Sequence, residues 1–263
     1  MLKKLTIILI SIFLLSFNAN AGSDGDLKSN KLNETKEIKD CFEKLNRATF
    51  AFNQGLDKAI IRPLAESYRD LPDPIQKGTS NAVKNLSNLI TIPNNILQGD
   101  VKTAFINTGR LVVNTTLGLL GTIDVANKMG FPKYVKEDYG QTLGTWGVKE
   151  GCYFVLPVLG PTTVRDSLGS MVNFTGGDAW YNVTISNDTQ YFENSDYYYS
   201  RLTAGVDFRA KNLEAFDSLE KNSLDLYASV RSLYLQDRQR KIQNLDETTE
   251  TMNDDDWEEI DTQ

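Results

Sequence analysis

The segment from Asp138 to Asp166 constrains the fold of this chain more than any other. Its glycines fall at positions 140, 144, 147, 151 and 160, around an apolar run that Pro157 and Pro161 close. Glycine weakens helices and strands alike and proline disrupts both, so this spacing suits neither an uninterrupted helix nor a plain strand. We therefore expect turns here, and a hairpin around Thr145 to Leu156 is the one strand signal that we identify.

Helical periodicity elsewhere indicates a mainly α fold. From Ile38 to Ile60, apolar residues recur at helical spacing, and Pro63 is expected to end this amphipathic helix. A second helix is predicted to begin with Asp73 as its cap and to end ahead of Pro93. The residues that it is expected to turn inward are Ile75, Val83, Leu86 and Ile90.

Two later helices have recognisable caps. Asp100 is expected to cap a third helix, and Thr162 or Thr163 another that Gly176 and Gly177 end. The apolar stripe of the third helix consists of Val101, Ala104, Phe105, Thr108, Leu111, Val112 and Thr115.

The other segments have weaker signals. The run from Leu117 to Asp124 is strongly apolar and compatible with a short helix, whereas the aromatic and polar segment from Tyr191 to Tyr199 is predicted as a loop. From about Arg201 to Gln243 a helical stripe continues, as one helix or two.

Both ends of the chain differ from its body. Residues 1–21 contain two lysines, an apolar core from Leu5 to Phe17 and an Ala-Asn-Ala site, which is the layout of a cleaved signal peptide. The core is shorter than the ~20 residues of a spanning helix, so we favour cleavage over a membrane anchor. Residues 22–243 are interpreted as one α-helical domain. Residues 244–263 carry nine acids and no base from Asp246 to Asp261, and we expect a disordered tail.

Composition excludes most familiar active sites. The chain has no histidine, which removes the usual general base of hydrolases and the commonest metal ligand. It has no phosphate-binding glycine loop, and its body is close to neutral, so neither nucleotide chemistry nor nucleic-acid binding is expected. Carboxylate catalysis by Asp57, Asp124 or Asp166 ranks below ordinary capping and ion pairing. We therefore predict a protein that is not an enzyme and uses neither cofactor nor metal.

Cys41 and Cys152 are the two cysteines of the chain. Export places them where disulfides persist, so they either pair or remain as two small buried thiols. The sequence leaves both alternatives open.

Several segments follow one another in a characteristic order. They are Phe42–Arg47, Phe50–Asn53, Ile61–Ala65, Tyr68–Asp70, Leu97–Asp100, Arg110–Asn114, Leu117–Ala126 and the glycine-rich stretch through Asp166. In this order they resemble the MlaA/VacJ family of the Gram-negative outer membrane, and the resemblance extends over nearly the whole mature body.

The resemblance implies a ring-like bundle of amphipathic helices around a central amphipathic channel, seated in the inner leaflet of the outer membrane. It implies that mislocalised phospholipids are removed from the outer leaflet and passed to a periplasmic lipid carrier protein, with a trimeric porin as partner. No reaction is catalysed. The alternative is a soluble periplasmic lipid-binding or scaffolding module.

One departure from the family concerns anchoring. Family members commonly carry a lipid on a cysteine directly after the signal, whereas here Gly22 occupies that place. We therefore expect the periplasmic face of the outer membrane as the location, without a lipid anchor. Seating would then depend on apolar protein surface.

Candidate site residues divide into two groups. For the channel and a gating hairpin we predict Gly118, Gly121, Asp124, Gly144, Gly147, Gly151, Val155, Leu156 and Pro157. The alternative for the glycines is turns that packing requires. For phosphate head groups we predict Arg47, Arg62, Arg110 and Arg165, with internal salt bridges as the alternative. Phe50 and Phe52 are interpreted as ordinary core, and Trp146 as a candidate for the membrane interface.

Overall fold

The computed structural model of the protein describes residues 38–186 and 191–244 and confirms the mainly α class. Strands β1 Tyr153–Leu156 and β2 Gly160–Thr163 pair antiparallel in the described part. The predicted signal peptide and the acidic tail from residue 245 onward lie outside the described residues. In chain order the α-helices are α1 Glu43–Leu56, α2 Arg62–Arg69, α3 Asp73–Leu97, α4 Val101–Thr116, α5 Val125–Lys128, α6 Tyr139–Thr145, α7 Val164–Val172, α8 Ala179–Tyr181, α9 Asn194–Lys211, α10 Leu213–Asn222 and α11 Leu226–Ile242.

Pro63 does not end the first helical segment, so that prediction is wrong. A π-helical turn, Asp57–Ile61, follows α1, and the Arg62 amide bonds to the Asp57 carbonyl. Pro63 then lies in the first turn of α2, where a missing amide proton costs no helical hydrogen bond. The wider π turn thus carries the helix past the proline.

The predicted end of the second helix is also wrong, because α3 contains Pro93 and continues to Leu97. This helix packs along α4 and also contacts α6, α8 and α9, and that packing outweighs the one hydrogen bond that a proline removes. The next helix begins as predicted. The Asp100 side chain accepts from the Thr103 amide at 3.0 Å and caps α4.

The run from Leu117 to Asp124 is not a helix. Leu119 and Leu120 adopt positive φ angles of 51° and 58°, and Gly121 follows at 91°. At Gly121 a Cβ would lie 2.5 Å from the Asn85 side chain, so the loop folds tightly against α3. Left-handed backbone at three successive residues is incompatible with a right-handed helix.

The hairpin lies further along the chain than predicted. Asp138 accepts from the Gln141 amide at 2.9 Å and starts α6, which takes up Gly140 and Gly144. Tyr153 then pairs opposite Thr163 at the open end of the β1–β2 hairpin. The predicted bounds, Thr145 to Leu156, are wrong. Asp138 caps α6, and Thr145 is the last residue of that helix.

The C-terminal part contains more helices than expected. Thr163 caps α7 as predicted, through the Asp166 amide, and a π turn, Asn173–Gly177, follows it. The predicted loop from Tyr191 to Tyr199 is wrong beyond Asn194, because Glu193 and Asp196 form a capping box that begins α9. The predicted one or two helices after Arg201 are three, namely α9, α10 and α11.

The apolar core of the described residues lies at the hairpin. Tyr153, Val155 and Tyr227 are buried there, and Phe50 and Tyr234 pack against them. Helix α1 contacts β1, while α11 contacts β2 and α6. Further contacts pair α3 with α4, α6 with α7, and α9 with both α2 and α3. The ring-like arrangement stays a prediction.

Candidate functional site

The apolar stripe of the first helical segment faces outward, not inward. Phe42, Leu45 and Phe52 are more than half exposed, whereas Asn46 is 1% exposed. The interpretation of Phe52 as core is therefore wrong, although Phe50 does pack against the core. The helix is amphipathic as predicted, but its polar side is the buried one.

The α3–α4 pair has the same inversion. Phe105 is 75% exposed, whereas Asn94, Asn95 and Asn107 of the two helices are at most 3% exposed. The Asn107 amide donates to Asn95 Oδ1 at 2.9 Å across the helix interface. Of the four residues predicted to turn inward in the second helix, Ile90 is buried and Ile75 is half exposed; Val83 and Leu86 are intermediate.

This inversion extends over the described part of the chain. Buried side chains there include 21 polar or charged residues and 11 apolar ones, while 35 large apolar residues are exposed. A water-soluble domain buries its large apolar residues and leaves charged ones outside. Exposed apolar surface on this scale is typical of a binding or membrane surface. We call this exposed apolar surface the outer face.

Two loop tips extend the outer face. Leu119 and Leu120 form one, and Val158 and Leu159, at the turn of the hairpin, form the other; all four are highly exposed. Leu119, Leu120 and Val158 also have positive φ, which is unfavourable for residues with branched or bulky side chains. Strained backbone of this kind concentrates at functional sites.

Two asparagines of α1 hold the hairpin. Asn46 donates to the Tyr153 carbonyl and accepts from the Val155 amide, at 3.2 and 3.0 Å. Asn53, two turns later, does the same with Leu156 and Val158, at 2.9 and 2.7 Å. Each asparagine side-chain amide thus forms the two hydrogen bonds that one backbone residue of a neighbouring strand would form along the edge of β1.

The predicted gating residues are distributed over different environments. Val155 is buried in the core, Leu156 is partly buried and Pro157 is exposed. Gly144 lies inside α6, where a Cβ would approach the Ile242 side chain to 2.7 Å, so this glycine lets α6 pack on α11. Gly147 and Gly151 have positive φ and lie in the connection to the hairpin. Gating stays a prediction.

Cys41 and Cys152 form a disulfide, with Cα atoms 5.6 Å apart. It joins Cys41, two residues before α1, to Cys152, the residue before β1. The Tyr153 amide also donates to the Lys39 carbonyl at 3.0 Å, which extends the hairpin by an isolated parallel bridge at Asp40. The base of the hairpin is therefore tied to the start of the described chain.

The four arginines predicted for head groups all form ion pairs within the protein. Arg110 is buried and donates two hydrogen bonds to Asp124, at 2.9 and 2.7 Å. Burial would raise the pKa of Asp124, but bonds from the Asn127 amide and Asn114 and the Arg110 charge lower it. Head-group contact by these arginines stays a prediction. The other pairs are Arg47 with Glu43 and Asp225, Arg62 with Glu66 and Asp217, and Arg165 with Glu150 and Asp166.

Arg238 of α11 forms a network that the sequence did not reveal. It donates to Asp138 at 2.7 and 2.9 Å and to Asp166 at 2.9 and 3.2 Å. Tyr234 also donates to Asp166, at 2.6 Å. Burial alone would raise the pKa of both carboxyls, but the charge and hydrogen bonds of Arg238 outweigh it and lower both pKa values. The network fixes α11 against α6 and α7.

A recess between α3, α8 and α9 has mixed lining. It has a volume of about 310 Å³, part of which is open to solvent. The wall combines aliphatic side chains of α3 with polar groups of α8, α9 and Asp178, and we call it the amphipathic recess. Its lining residues are Val83, Leu86, Ser87, Ile90, Asp178, Trp180, Ser200, Arg201 and Ala204. The sequence indicates α3 but not this wall, because the lining residues of α3 and α9 are more than a hundred residues apart.

A second recess, between α3 and α4, is polar. It has a volume of about 220 Å³, part of which is open to solvent, and its wall includes Asn85, Asn88, Arg110 and Asp124. The Oδ1 atoms of Asn85 and Asn88 are buried without a hydrogen-bond partner. A buried polar site with free acceptors suits an ordered water molecule.

Neither metal ligands nor membrane-crossing helices are found within residues 38–186 and 191–244. There, acidic and sulfur side chains form no group that could hold a metal ion. The helices are also too short or too polar to span a bilayer. Trp146 is more than half exposed and donates to the Leu97 carbonyl at 2.9 Å; its place at a membrane interface stays a prediction.

Known proteins resemble this chain along most of its length. The family model described as MlaA lipoprotein matches residues 38–241. A Haemophilus influenzae protein named intermembrane phospholipid transport system lipoprotein MlaA is 31% identical, with 90% of this chain and 93% of the relative covered. The Escherichia coli protein of the same name is 33% identical, with coverage of 89% and 86%. An uncharacterized Rickettsia bellii protein is 34% identical, with coverage of 90% and 92%.

A solved structure supports the same assignment. It comes from work on the structural basis for maintenance of bacterial outer membrane lipid asymmetry, and it superposes with a TM-score of 0.66 at 31% identity. The match covers 78% of this chain and 99% of that structure. Sequence and fold thus agree, and this chain belongs to the MlaA lipoprotein family.

Proposed function

We propose that this protein transports phospholipid between membranes. In this proposal it removes mislocalised phospholipids from the outer leaflet of the outer membrane and passes them through a central channel to a periplasmic lipid carrier protein, without catalysing a reaction. The named relatives from Haemophilus influenzae and Escherichia coli are components of an intermembrane phospholipid transport system, which supports this class of function.

The inverted polarity of the helices is the observation that carries the proposal. A phospholipid that leaves a bilayer exposes about thirty methylenes to water, at ~0.8 kcal/mol each, so the barrier is on the order of 20 kcal/mol. A conduit lowers this barrier when it replaces that apolar contact for the acyl chains while it offers polar groups to the head group. The helices of this protein combine apolar and polar surface in this way. The outer face, which includes Phe105, is apolar, and the buried side contains asparagines.

The outer face also supports seating in one leaflet. Within the described residues the helices do not span a bilayer, yet they expose large apolar side chains along their length. An amphipathic helix of this kind lies in the plane of the interface with its apolar side in the acyl boundary. We propose that the outer face rests in the inner leaflet of the outer membrane and that the loop tips at Leu120 and Leu159 enter it.

The amphipathic recess is the proposed lining of part of the conduit. Val83, Leu86 and Ile90 offer contact to acyl chains, while Ser200 and Arg201 on the facing helix offer donors to a head group. The hairpin is the proposed gate, with Gly147 and Gly151 in the connection that precedes it. A trimeric porin and the periplasmic carrier are the proposed partners.

The alternative, a soluble periplasmic lipid-binding or scaffolding module, is favoured by one observation, the absence of a cysteine directly after the signal. The outer face argues against it, because exposed apolar surface of this extent promotes aggregation in water. A high-salt wash of isolated membranes separates the two proposals. The transport protein stays bound, whereas the soluble module is released.

The proposal is tested in a strain that lacks its own family member and exposes phospholipid on the cell surface. This gene, with or without residues 244–263, is expected to reduce the exposed phospholipid. Phe105→Glu places a charge on the outer face and is expected to abolish rescue, whereas Lys102→Glu, at an exposed polar position of the same helix, is expected to retain it. Rescue by both variants, or by neither the wild type nor the control, contradicts the proposal.

A further inference from the structure

Two asparagines of α3 bring buried acceptors to the recess between α3 and α4, which we call the polar recess. Asn85 and Asn88 are 6% and 2% exposed, and both belong to the recess wall. The side-chain nitrogen of Asn85 donates to the Thr115 hydroxyl at 2.9 Å. That of Asn88 donates to the Lys84 carbonyl at 3.4 Å. Among the described residues, neither Oδ1 atom has a hydrogen-bond donor, so a donor from outside the chain would satisfy both.

The charged groups of the recess wall are paired or exposed. Arg110 donates to Asp124 at 2.7 and 2.9 Å and to the Pro132 carbonyl at 2.8 Å, so this pair is neutral as a whole. Lys84 is the other cation of the wall, and it is exposed. The recess thus combines neutral buried acceptors with one exposed positive charge. This combination suits a zwitterion that carries both a donor cation and an anion.

The polar recess lies at the base of an apolar loop tip. Leu120 is 77% exposed, and Gly121 follows it directly. A Cβ at Gly121 would lie 2.5 Å from the Asn85 side chain, so the loop touches the recess wall here. Asn81, another residue of the wall, donates to the Thr122 carbonyl at 3.1 Å and holds the same loop. Because consecutive Cα atoms are only about 3.8 Å apart, a lipid whose acyl chains contact Leu120 has its head group within reach of the recess.

We infer that the polar recess binds the primary ammonium of a phosphatidylethanolamine head group, through the Oδ1 atoms of Asn85 and Asn88. The inference rests on the proposed transport function and names the head group that the protein holds at this loop tip. A primary ammonium has three donors and no acceptor, so it can satisfy both amide oxygens, and its charge strengthens the bonds. A water molecule at the same place is displaced by the ammonium, because the ammonium supplies donors to the same two oxygens.

Three head groups that share the phosphate separate the contribution of the ammonium. Phosphatidylcholine carries the same positive charge but no N–H donor, so it leaves both acceptors unsatisfied. Phosphatidylglycerol has hydroxyl donors without charge, and hydrogen bonds from neutral donors are weaker. We therefore expect the protein to bind phosphatidylethanolamine most tightly, phosphatidylglycerol less tightly and phosphatidylcholine least.

The first test measures phospholipid bound to the purified full chain. The protein is incubated with vesicles of equal parts of the three lipids and reisolated, and its bound phospholipid is quantified by mass spectrometry. The wild type is expected to enrich phosphatidylethanolamine over phosphatidylcholine about tenfold or more, the effect of one charge-assisted hydrogen bond. Asn88→Leu is expected to remove this enrichment. Asn88→Asp keeps an acceptor in place and is expected to retain it.

Asn173 provides the matched control for the loss of an acceptor. Its Oδ1 atom is also buried without a partner in the part of the chain that the structure describes, yet Asn173 belongs to the wall of neither recess. Asn173→Leu makes the same chemical change elsewhere and is expected to keep the enrichment. Circular dichroism shows whether each variant has folded.

The outcomes separate the ammonium site from the transport function. Equal binding of the three lipids by the wild type, a preference for phosphatidylglycerol, or an enrichment that survives Asn88→Leu would overturn the site and leave transport standing. Absence of bound phospholipid from the wild type would overturn both. Enrichment that is lost with Asn88→Leu and kept with Asn88→Asp and Asn173→Leu would support the site.

A second measurement distinguishes a lipid head group from a free amine. The side-chain amide resonance of Asn88 is followed by solid-state NMR in phosphatidylcholine vesicles, with phosphatidylethanolamine added to the membrane or with soluble glycerophosphoethanolamine. A shift with the lipid but not with the soluble compound is expected, because the soluble compound lacks the acyl chains that contact the loop tip. An equal shift with the soluble compound would show a free-amine site, and no shift with either probe would show no site; both results overturn the inference.

Discussion

The hairpin region and the α3–α4 pair are built in opposite ways. At the hairpin, Tyr153 and Val155 are buried against Tyr227, as in a water-soluble domain. Between α3 and α4, Asn95 and Asn107 bond to each other inside while Phe105 is exposed. One chain thus contains a region stabilised by apolar burial and a region in which polar groups are sequestered.

The proposed function predicts this difference, because the two regions would then meet different surroundings. Apolar burial stabilises a fold only where the alternative is contact with water. In contact with acyl chains, helices associate instead through close packing and hydrogen bonds between polar side chains. The α3–α4 pair has the second pattern, so the two regions should respond differently to the same kind of change.

The largest expected effect is at the hairpin core. Tyr153→Ala removes a fully buried ring and is expected to lower the free energy of unfolding by about 3–5 kcal/mol. Phe105→Ala removes an equally large ring that is mostly exposed and is expected to change stability little. Denaturant titration in detergent micelles measures both. Similar losses for the two variants would show that the regions do not differ.

The disulfide is expected to matter next, and mainly in one region. Cys41→Ser with Cys152→Ser opens a link across 111 residues and is expected to cost about 2–5 kcal/mol. Hydrogen exchange should then speed up at the amides of Tyr153 and Val155, which the link holds near α1. Faster exchange spread evenly over α3 and α4 would contradict a localised role.

A smaller effect is expected inside the α3–α4 pair. Asn107→Leu leaves Asn95 Oδ1 without its donor and is expected to cost about 1–3 kcal/mol. Replacing both asparagines by Leu removes the orphaned group and should recover part of the loss. A double-mutant cycle by thermal unfolding measures this recovery, and strict additivity would show that the two side chains are not coupled.

The smallest effect at neutral pH comes from Asp138 and Asp166. Their pKa values are lowered in the folded state, because the charge and hydrogen bonds of Arg238 outweigh the effect of burial. The two ionised carboxylates therefore stabilise the fold above the unfolded pKa of about 3.9. This contribution is lost as the pH falls below that value. Burial raises the pKa of Glu137, so protonation of this carboxyl at falling pH stabilises the fold and opposes the loss from Asp138 and Asp166. Denaturant titrations from pH 7 to pH 3 should show little change until about pH 4 and then a decline. Asp166→Asn should make the decline shallower.

Local signals in the sequence predicted much of the secondary structure. Asp100 and Thr163 cap their helices as expected because a cap requires one side chain and an amide three residues later. The π turn before Pro63 and the continuation of α3 through Pro93 could not be predicted, since packing between helices decides them. The hairpin was displaced because Asp138 acts as a cap in a segment dominated by glycine.

The direction of the helix faces and the site contacts needed the structure. Periodicity shows that Phe42, Leu45 and Phe52 share a stripe, but it does not show which medium covers that stripe. Likewise, Arg238 is 100 residues from Asp138 and 72 from Asp166, so no local pattern connects them.

The depth of the outer face in a bilayer tests the account most directly. A nitroxide is placed, through an unnatural amino acid, at Phe105 or Val158 and, as a control, at the exposed Lys221; its collisions with oxygen and with a water-soluble nickel chelate are measured in phospholipid vesicles. The account predicts high oxygen and low nickel accessibility at the first two positions and the reverse at Lys221. Equal nickel accessibility at all three positions would contradict a lipid-facing exterior.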